Sequence, residues 1–231
     1  MTKTLTELEN QIGYKFKDQG IILIALTHPS YLNENKEERD SYQRLEFLGD
    51  AILEFVASLY LFREFTDIRE GRLTEIRAAL VRTENLAHCA LKFNLGDYLF
   101  ISKGEEQNQG RRNENILADV LEALIAALYL DSQQLKTVET FFDRYIKEEL
   151  DAIIKNKLYL DSKTELQELI QAKHKLTPVY KVLKETQSAQ QNQFEIGVFL
   201  KERCLATGIG RNKRAAEQQA AKNALGNKTK F

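Results

Sequence analysis

Apolar positions recur every three or four residues through most of the first 155 positions, and a period-two alternation takes over only toward the C-terminus. In SYQRLEFLGDAILEFVASLYLFREF, residues Leu45, Leu48, Ile52, Phe55, Leu59 and Phe62 predict a helix over 41–65 with that stripe as its buried face. The same period predicts helices in the opening stretch, in GIILIALTH, in GRLTEIRAALV, in TENLAHCALKF after Thr83 as N-cap, and over QQLKTVETFFDRYIKEELDAII. SKGEEQNQGRRNEN, polar with two Gly, is expected to be a loop.

Beyond a short polar linker the pattern changes. SKTELQELIQAKH places Ser162 and Glu165 at capping-box spacing ahead of Leu166, Leu169 and Ile170, which predicts one more helix. VYKVLKE and QFEIGVFLK then alternate, with Phe194, Ile196, Val198 and Leu200 on one face, and RCLATG supplies a third strand. Gly208 and Gly210 suit a close backbone turn before GRNKRAAEQQAAKNAL, an Ala-rich helix with bases in its first turn. The expected organisation is an all-α domain over 1–154, a linker over 155–160 and a small α-β-β-β-α domain over 161–231.

One helical run does not fit simple burial. From Ile116 to Leu130, thirteen of fifteen positions are apolar or Ala and two, Asp119 and Glu122, are acids, with no Lys, Arg or His inside the run. An ionised carboxylate taken from water without a partner costs several kcal/mol, roughly, so something must compensate these two. On the 41–65 helix, Glu46 and Asp50 share a stripe flanked by Gln43 and Glu54. Packed side by side, the two helices would gather four carboxylates around one small volume, where they repel unless a cation sits among them. All-oxygen ligands favour Mg²⁺, with Mn²⁺ as a substitute, over zinc. Two alternatives stay open: such acids are common on solvated helix faces, and Arg44 or Arg77 could supply the counter-charge from a neighbouring helix.

Charge sharpens the picture. The net charge of −1 divides unevenly, because residues 1–159 hold 20 Lys and Arg against 27 Asp and Glu, whereas residues 160–231 hold 13 against 7. An acidic body with a basic tail-piece suits chemistry on one part and a polyanion held by the other. Cys89 and Cys204 are too few and too distant for a disulfide framework, and no CxxC or HExxH motif points to zinc. With no signal-peptide core, no uncharged apolar run long enough to span a membrane and no phosphate-binding GxxxxGK[ST] loop, a cytoplasmic protein without a nucleotide cofactor is expected. His28, in THPSY, suits a structural loop position better than a catalytic base.

ALTHPSY, QRLEFLGDAILEF, EGRLTEIRAALV and ENILADVLEALIAALYLD, in that order, resemble the nuclease domain of bacterial ribonuclease III. TELQELIQ, FEIGVFLK and GIGRNKRAAEQQAAKNAL resemble the double-stranded-RNA-binding domain those enzymes carry at the C-terminus. The resemblance covers nearly the whole chain. It implies a homodimer with two active sites across one RNA-binding valley, cutting structured precursors such as ribosomal RNA to 5′-phosphate and 3′-hydroxyl ends. It implies that Glu46, Asp50, Asp119 and Glu122 bind metal, that Asp50 and Glu122 are the catalytic pair, and that Glu70 is a further acid of the valley. Phe47 falls on the aromatic that enters a pocket of the partner subunit, although by pattern alone it could be core. Gln167, Gln190, Lys213 and Arg214 fall on RNA-binding positions. Three departures stand out: Gln43 replaces a frequent Glu, Gln190 a frequent His, and Ala215 a frequent base. Two competing readings differ in class. One is a duplex-RNA-binding protein that does not cut. The other is a metal-dependent phosphohydrolase with another substrate.

Overall fold

The computed structural model describes residues 4–35, 40–156, 158–159, 161–187 and 192–226. The chain divides into two compact units, Met1–Tyr159 and Leu160–Phe231. The first is helical throughout its described residues: α1 (Leu5–Ile12), α2 (Gln19–Ala25), α3 (Pro29–Glu34), α4 (Gln43–Glu64), α5 (Glu70–Leu80), α6 (Thr83–Lys92), α7 (Lys103–Gln107), α8 (Glu114–Ser132), α9 (Leu135–Tyr145) and α10 (Glu148–Lys155), with 3₁₀ turns at Leu95–Tyr98 and Gly110–Arg112. The second comprises α11 (Ser162–His174), β1 (Val179–Gln187), β2 (Asn192–Leu200), β3 (Arg203–Gly210) and α12 (Lys213–Gly226). The expected fold class, an all-α domain followed by a small α+β domain, is the one found.

α8 is the axis of the helical unit. Twelve of its nineteen residues are buried, every one from Ile116 to Leu128 except Asp119 and Glu122, together with Ser132, and α2, α4, α6 and α9 pack around it. Asn113 caps its start, its Oδ1 accepting from the main-chain N–H of Asn115 at 2.9 Å and of Ile116 at 3.4 Å. α4 presents Leu45, Gly49, Leu53, Val56, Ala57 and Leu61 to this core. The expected stripe is therefore displaced. Phe55 and Phe62 are 54% and 73% exposed, while Leu48, Ile52 and Leu59 are half-buried. α4 is apolar on two faces, and periodicity alone selected the less buried one.

Four local readings are corrected. Ser102 caps α7 by accepting from the Glu105 N–H at 3.0 Å, so the segment read as loop carries its own helical turns. Arg82 rather than Thr83 precedes α6, without a side-chain cap. Asp161, not Ser162, caps α11, its Oδ1 accepting from the Thr164 N–H at 2.8 Å. The stretch expected as one helix over 133–154 bends between α9 and α10, where the Tyr145 carbonyl accepts from Lys92 Nζ at 3.2 Å and Ile146 is fully buried. Tertiary contacts outweigh helix propensity there.

In the second unit the sheet is antiparallel in the order β1-β2-β3. Phe194, Ile196 and Val198 face the helices as expected; on α11 Leu166 and Ile170 are buried, but Leu169 is 36% exposed. Gly208 and Gly210 belong to β3 and form no turn. A Cβ on Gly208 would stand 2.1 Å from the Ala220 main-chain nitrogen, and one on Gly210 2.4 Å from that of Ala216, so α12 lies directly on the strand.

Candidate active site

α4 and α8 meet backbone to backbone. A Cβ at Gly49 would lie 1.8 Å from the carbonyl oxygen of Glu122, so a residue without one is needed for the helices to come this close. The contact sits between Glu46 and Asp50 on one helix and Asp119 and Glu122 on the other. All four expected carboxylates therefore border one volume, with Asp50 exposed and the other three half-buried.

Their electrostatics show the crowding. Burial pushes the Glu122 carboxyl up to about 8, helped by the charges of Asp50, Asp119, Glu46 and, least, Glu54. Glu46 is raised by burial and then by Asp119 and Asp50. Burial also raises Asp119, while a hydrogen bond from Tyr42 and the proximity of His28 oppose the rise. Among the described residues, no Lys or Arg is one of the principal groups acting on these three. Arg44 is exposed and, among the described residues, reaches Asp40 at 4.0 Å, and Arg77 donates to Ser58 Oγ at 2.9 Å. Neither arginine is the compensating charge. Among the described residues, no group of three or more His, Cys, Asp or Glu side chains is placed so that it could hold a metal ion as it stands. The four acids share a volume without being drawn together. The donor set is all oxygen, the ligand type that a hard divalent cation prefers over zinc.

The remaining expected residues lie elsewhere. Glu70 opens α5 and does not join the four acids. It lines a groove of about 970 Å³ with Leu61, Phe62, Phe65, Leu73 and Arg77. Gln43 is exposed at the start of α4, 3.4 Å from Ser41 Oγ. Phe47 is 83% exposed, which removes the alternative that it is core. His28 is structural, accepting at Nδ1 from the Ser30 N–H at 3.1 Å as the cap of α3.

In the second unit, Gln167 is exposed on α11, and Lys213 and Arg214 are exposed in the first turn of α12. Lys213 Nζ lies 5.7 Å from the centroid of the Phe194 ring, and Asn212 Oδ1 accepts from the Ala215 N–H at 2.8 Å. Two bases thus stand at one helix N-terminus, an arrangement suited to phosphate. Gln190 lies outside the described residues. Sequence reasoning missed Tyr42, whose hydroxyl donates to Asp119 Oδ2 at 3.2 Å across 77 positions of chain. No local motif signals so distant a contact.

A helical unit gathering four carboxylates, followed by a basic α-β-β-β-α unit, defines a nuclease joined to an RNA-holding module. The family comparisons agree: residues 18–150 match the ribonuclease-III-like model and residues 162–227 the double-stranded RNA binding motif. Ribonuclease 3 of Syntrophobacter fumaroxidans is 43% identical over 226 residues, covering 96% of this chain and 93% of that protein. Ribonuclease 3 of a Roseiflexus species is 44% identical over 228 residues, covering 97% and 96%. Among solved structures, the nuclease domain of ribonuclease III from Campylobacter jejuni superposes with a TM-score of 0.58 at 39% identity, covering 63% of this chain and 97% of that one. The chain belongs to the ribonuclease III family and is an enzyme of that class with a double-stranded-RNA-binding domain. Among the described residues, no helix is long and apolar enough to cross a membrane.

Proposed function

We propose that this chain is a divalent-metal-dependent endoribonuclease that hydrolyses both strands of duplex RNA to 5′-phosphate and 3′-hydroxyl ends. The observation that carries the reading is the cluster of Glu46, Asp50, Asp119 and Glu122, on which, among the described residues, no Lys or Arg is seen to act. A phosphodiester is a poor electrophile, because its charge repels nucleophiles and its leaving alkoxide is unstable. Mg²⁺, or Mn²⁺ in its place, would be held by the four acids and would supply Lewis-acid assistance to water attack and to departure of the leaving oxygen. Asp50 and Glu122 are the catalytic pair in this reading. Glu122 is suited to hold a proton near neutral pH, and exposed Asp50 to face incoming RNA.

The second unit holds A-form RNA by shape, through phosphates and 2′-hydroxyls. Lys213 and Arg214 take phosphates and Gln167 contacts the minor groove, with Gln190 assigned to the same task by family position alone. The functional form is a homodimer. Phe47, Phe55 and Phe62 leave an apolar face on α4, and the groove beside it is large enough for an aromatic ring of a second copy. With Phe47 of one subunit in that groove, Glu70 would face the partner's acids, which accounts for its distance from its own. Structured precursors such as ribosomal RNA, met in the cytoplasm, are the proposed substrates.

The test is incubation of the full chain with end-labelled RNA duplex, with Mg²⁺ and with chelator. Cleavage only with Mg²⁺, at both strands and with a short 3′ overhang, is expected. Binding without cleavage would favour an RNA-binding protein that retains its acids for structure. Equal cleavage of duplex DNA would favour a general phosphohydrolase.

A further inference from the structure

We infer that Tyr42 is a positioning residue for the metal centre: its hydroxyl fixes the orientation in which Asp119 offers its carboxylate. Among the described residues, this is the one side-chain hydrogen bond made to any of the four acids, with Tyr42 Oη 3.2 Å from Asp119 Oδ2. A carboxylate ligand left to rotate freely about its last torsion presents its oxygens in many directions. One donor occupying Oδ2 selects among them and leaves the second oxygen for a cation, and outer hydrogen bonds of this kind are what orient metal ligands.

The donor is itself held from several sides. Tyr42 is 4% exposed. Its N–H donates to the Thr27 carbonyl at 2.9 Å, and its carbonyl accepts from the N–H of Glu46 at 2.8 Å, so it begins the helix that carries two of the acids. Thr27 is fixed by a parallel bridge to Phe100, and the His28 ring packs against the Tyr42 ring with centroids 5.7 Å apart. The phenol therefore joins the start of α4 to α8 through a rigid ring with few torsions. It fixes one acid of the α8 pair relative to the α4 pair, and Gly49 fixes the spacing of the two helices.

This inference rests on the metal-binding reading of the four acids, and its test separates the two. Tyr42→Phe keeps the ring, its packing and its main-chain hydrogen bonds while removing only the hydroxyl. Mn²⁺ binding to the full chain, followed by the electron paramagnetic resonance of free Mn²⁺, is compared for wild type, Tyr42→Phe and Asp119→Asn. Cleavage of duplex RNA is then titrated with Mg²⁺. Tyr42→Phe is expected to weaken Mn²⁺ binding about tenfold and to raise the Mg²⁺ concentration for half-maximal cleavage similarly, the usual scale for an outer-shell partner. KM for RNA and the melting temperature in chelator should stay unchanged. If wild type binds Mn²⁺, Asp119→Asn weakens it and Tyr42→Phe matches wild type, the inference is overturned while the metal reading stands. If wild type takes up no Mn²⁺, the reading itself fails. A Tyr42→Phe protein that melts well below wild type in chelator would assign the hydroxyl to folding instead.

Discussion

Glu122→Gln tests the charge crowding directly, because it removes a charge and almost no volume. In the unfolded chain this carboxyl titrates near 4.5, and in the folded protein near 8. Below pH 4.5 both forms carry the proton and the site costs nothing. As pH rises toward 8 the unfolded chain releases its proton while the folded protein keeps it, so stability falls through this window and the loss is complete above 8. A shift of that size corresponds to ~5 kcal/mol. Partial solvent contact and screening reduce the realised cost to roughly 2 kcal/mol. In chelator at pH 8.5, Glu122→Gln should therefore melt about 4–8 °C above wild type for a unit of this size. Near pH 5 the two should melt together. Mg²⁺ reverses the order of benefit: at tenfold over its dissociation constant it should add about 1.4 kcal/mol to wild type by mass action, and less to the variant. Differential scanning calorimetry from pH 5 to 8.5, with chelator and across a Mg²⁺ series, measures all of this. A variant less stable than wild type at pH 8.5, or one with an undiminished decline between pH 5 and 8, would refute the reasoning.

Three further outcomes follow from the geometry. Gly49→Ala drives a methyl into the Glu122 carbonyl and should destabilise the helical unit by about 3 kcal/mol, the upper end of overpacking; a cleavage rate within a few-fold of wild type would show the spacing is not critical. Phe47→Ala should leave monomer melting unchanged, because the ring is exposed, yet weaken self-association by about 2 kcal/mol or roughly 30-fold; sedimentation at several concentrations decides it. A chain ending at Tyr159 keeps its own core but carries a charge of −7, so it should cut duplex RNA only at low salt; full activity at physiological salt would remove the holding role from the second unit.

The carboxylate site was readable because its signal is chemical misfit: two acids inside an apolar run have few physical causes, and helical spacing places each pair on one face. The alternating pattern from Phe194 to Leu200 likewise fixes a strand and its inner side. The buried face of α4 was not readable. Leu45, Leu48, Ile52, Phe55, Leu59 and Phe62 form as good a periodic stripe as Leu45, Leu53, Val56 and Leu61, the two sharing only Leu45, and only the neighbouring helices decide which is covered. Asp161 and Arg82 displaced the expected caps by one residue, a common uncertainty at helix ends. The bend at Tyr145 and Ile146 and the bond from Tyr42 to Asp119 depend on contacts spanning 53 and 77 positions, the first from Lys92 to the Tyr145 carbonyl, so no local window contains them.

The approach of Gly49 to the Glu122 carbonyl also bears on how this sequence can change over time. Main-chain atoms in contact define the bite of the site, so the separation of the two acid pairs does not depend on which side chains fill the rest of the helix interface. Leu53, Val56 or Ala57 can drift among similar volumes, altering how tightly the helical unit holds together while leaving that bite as it is. Stability and reactivity are thereby placed under different residues of one helix. The single position where the two demands coincide has no side chain to vary.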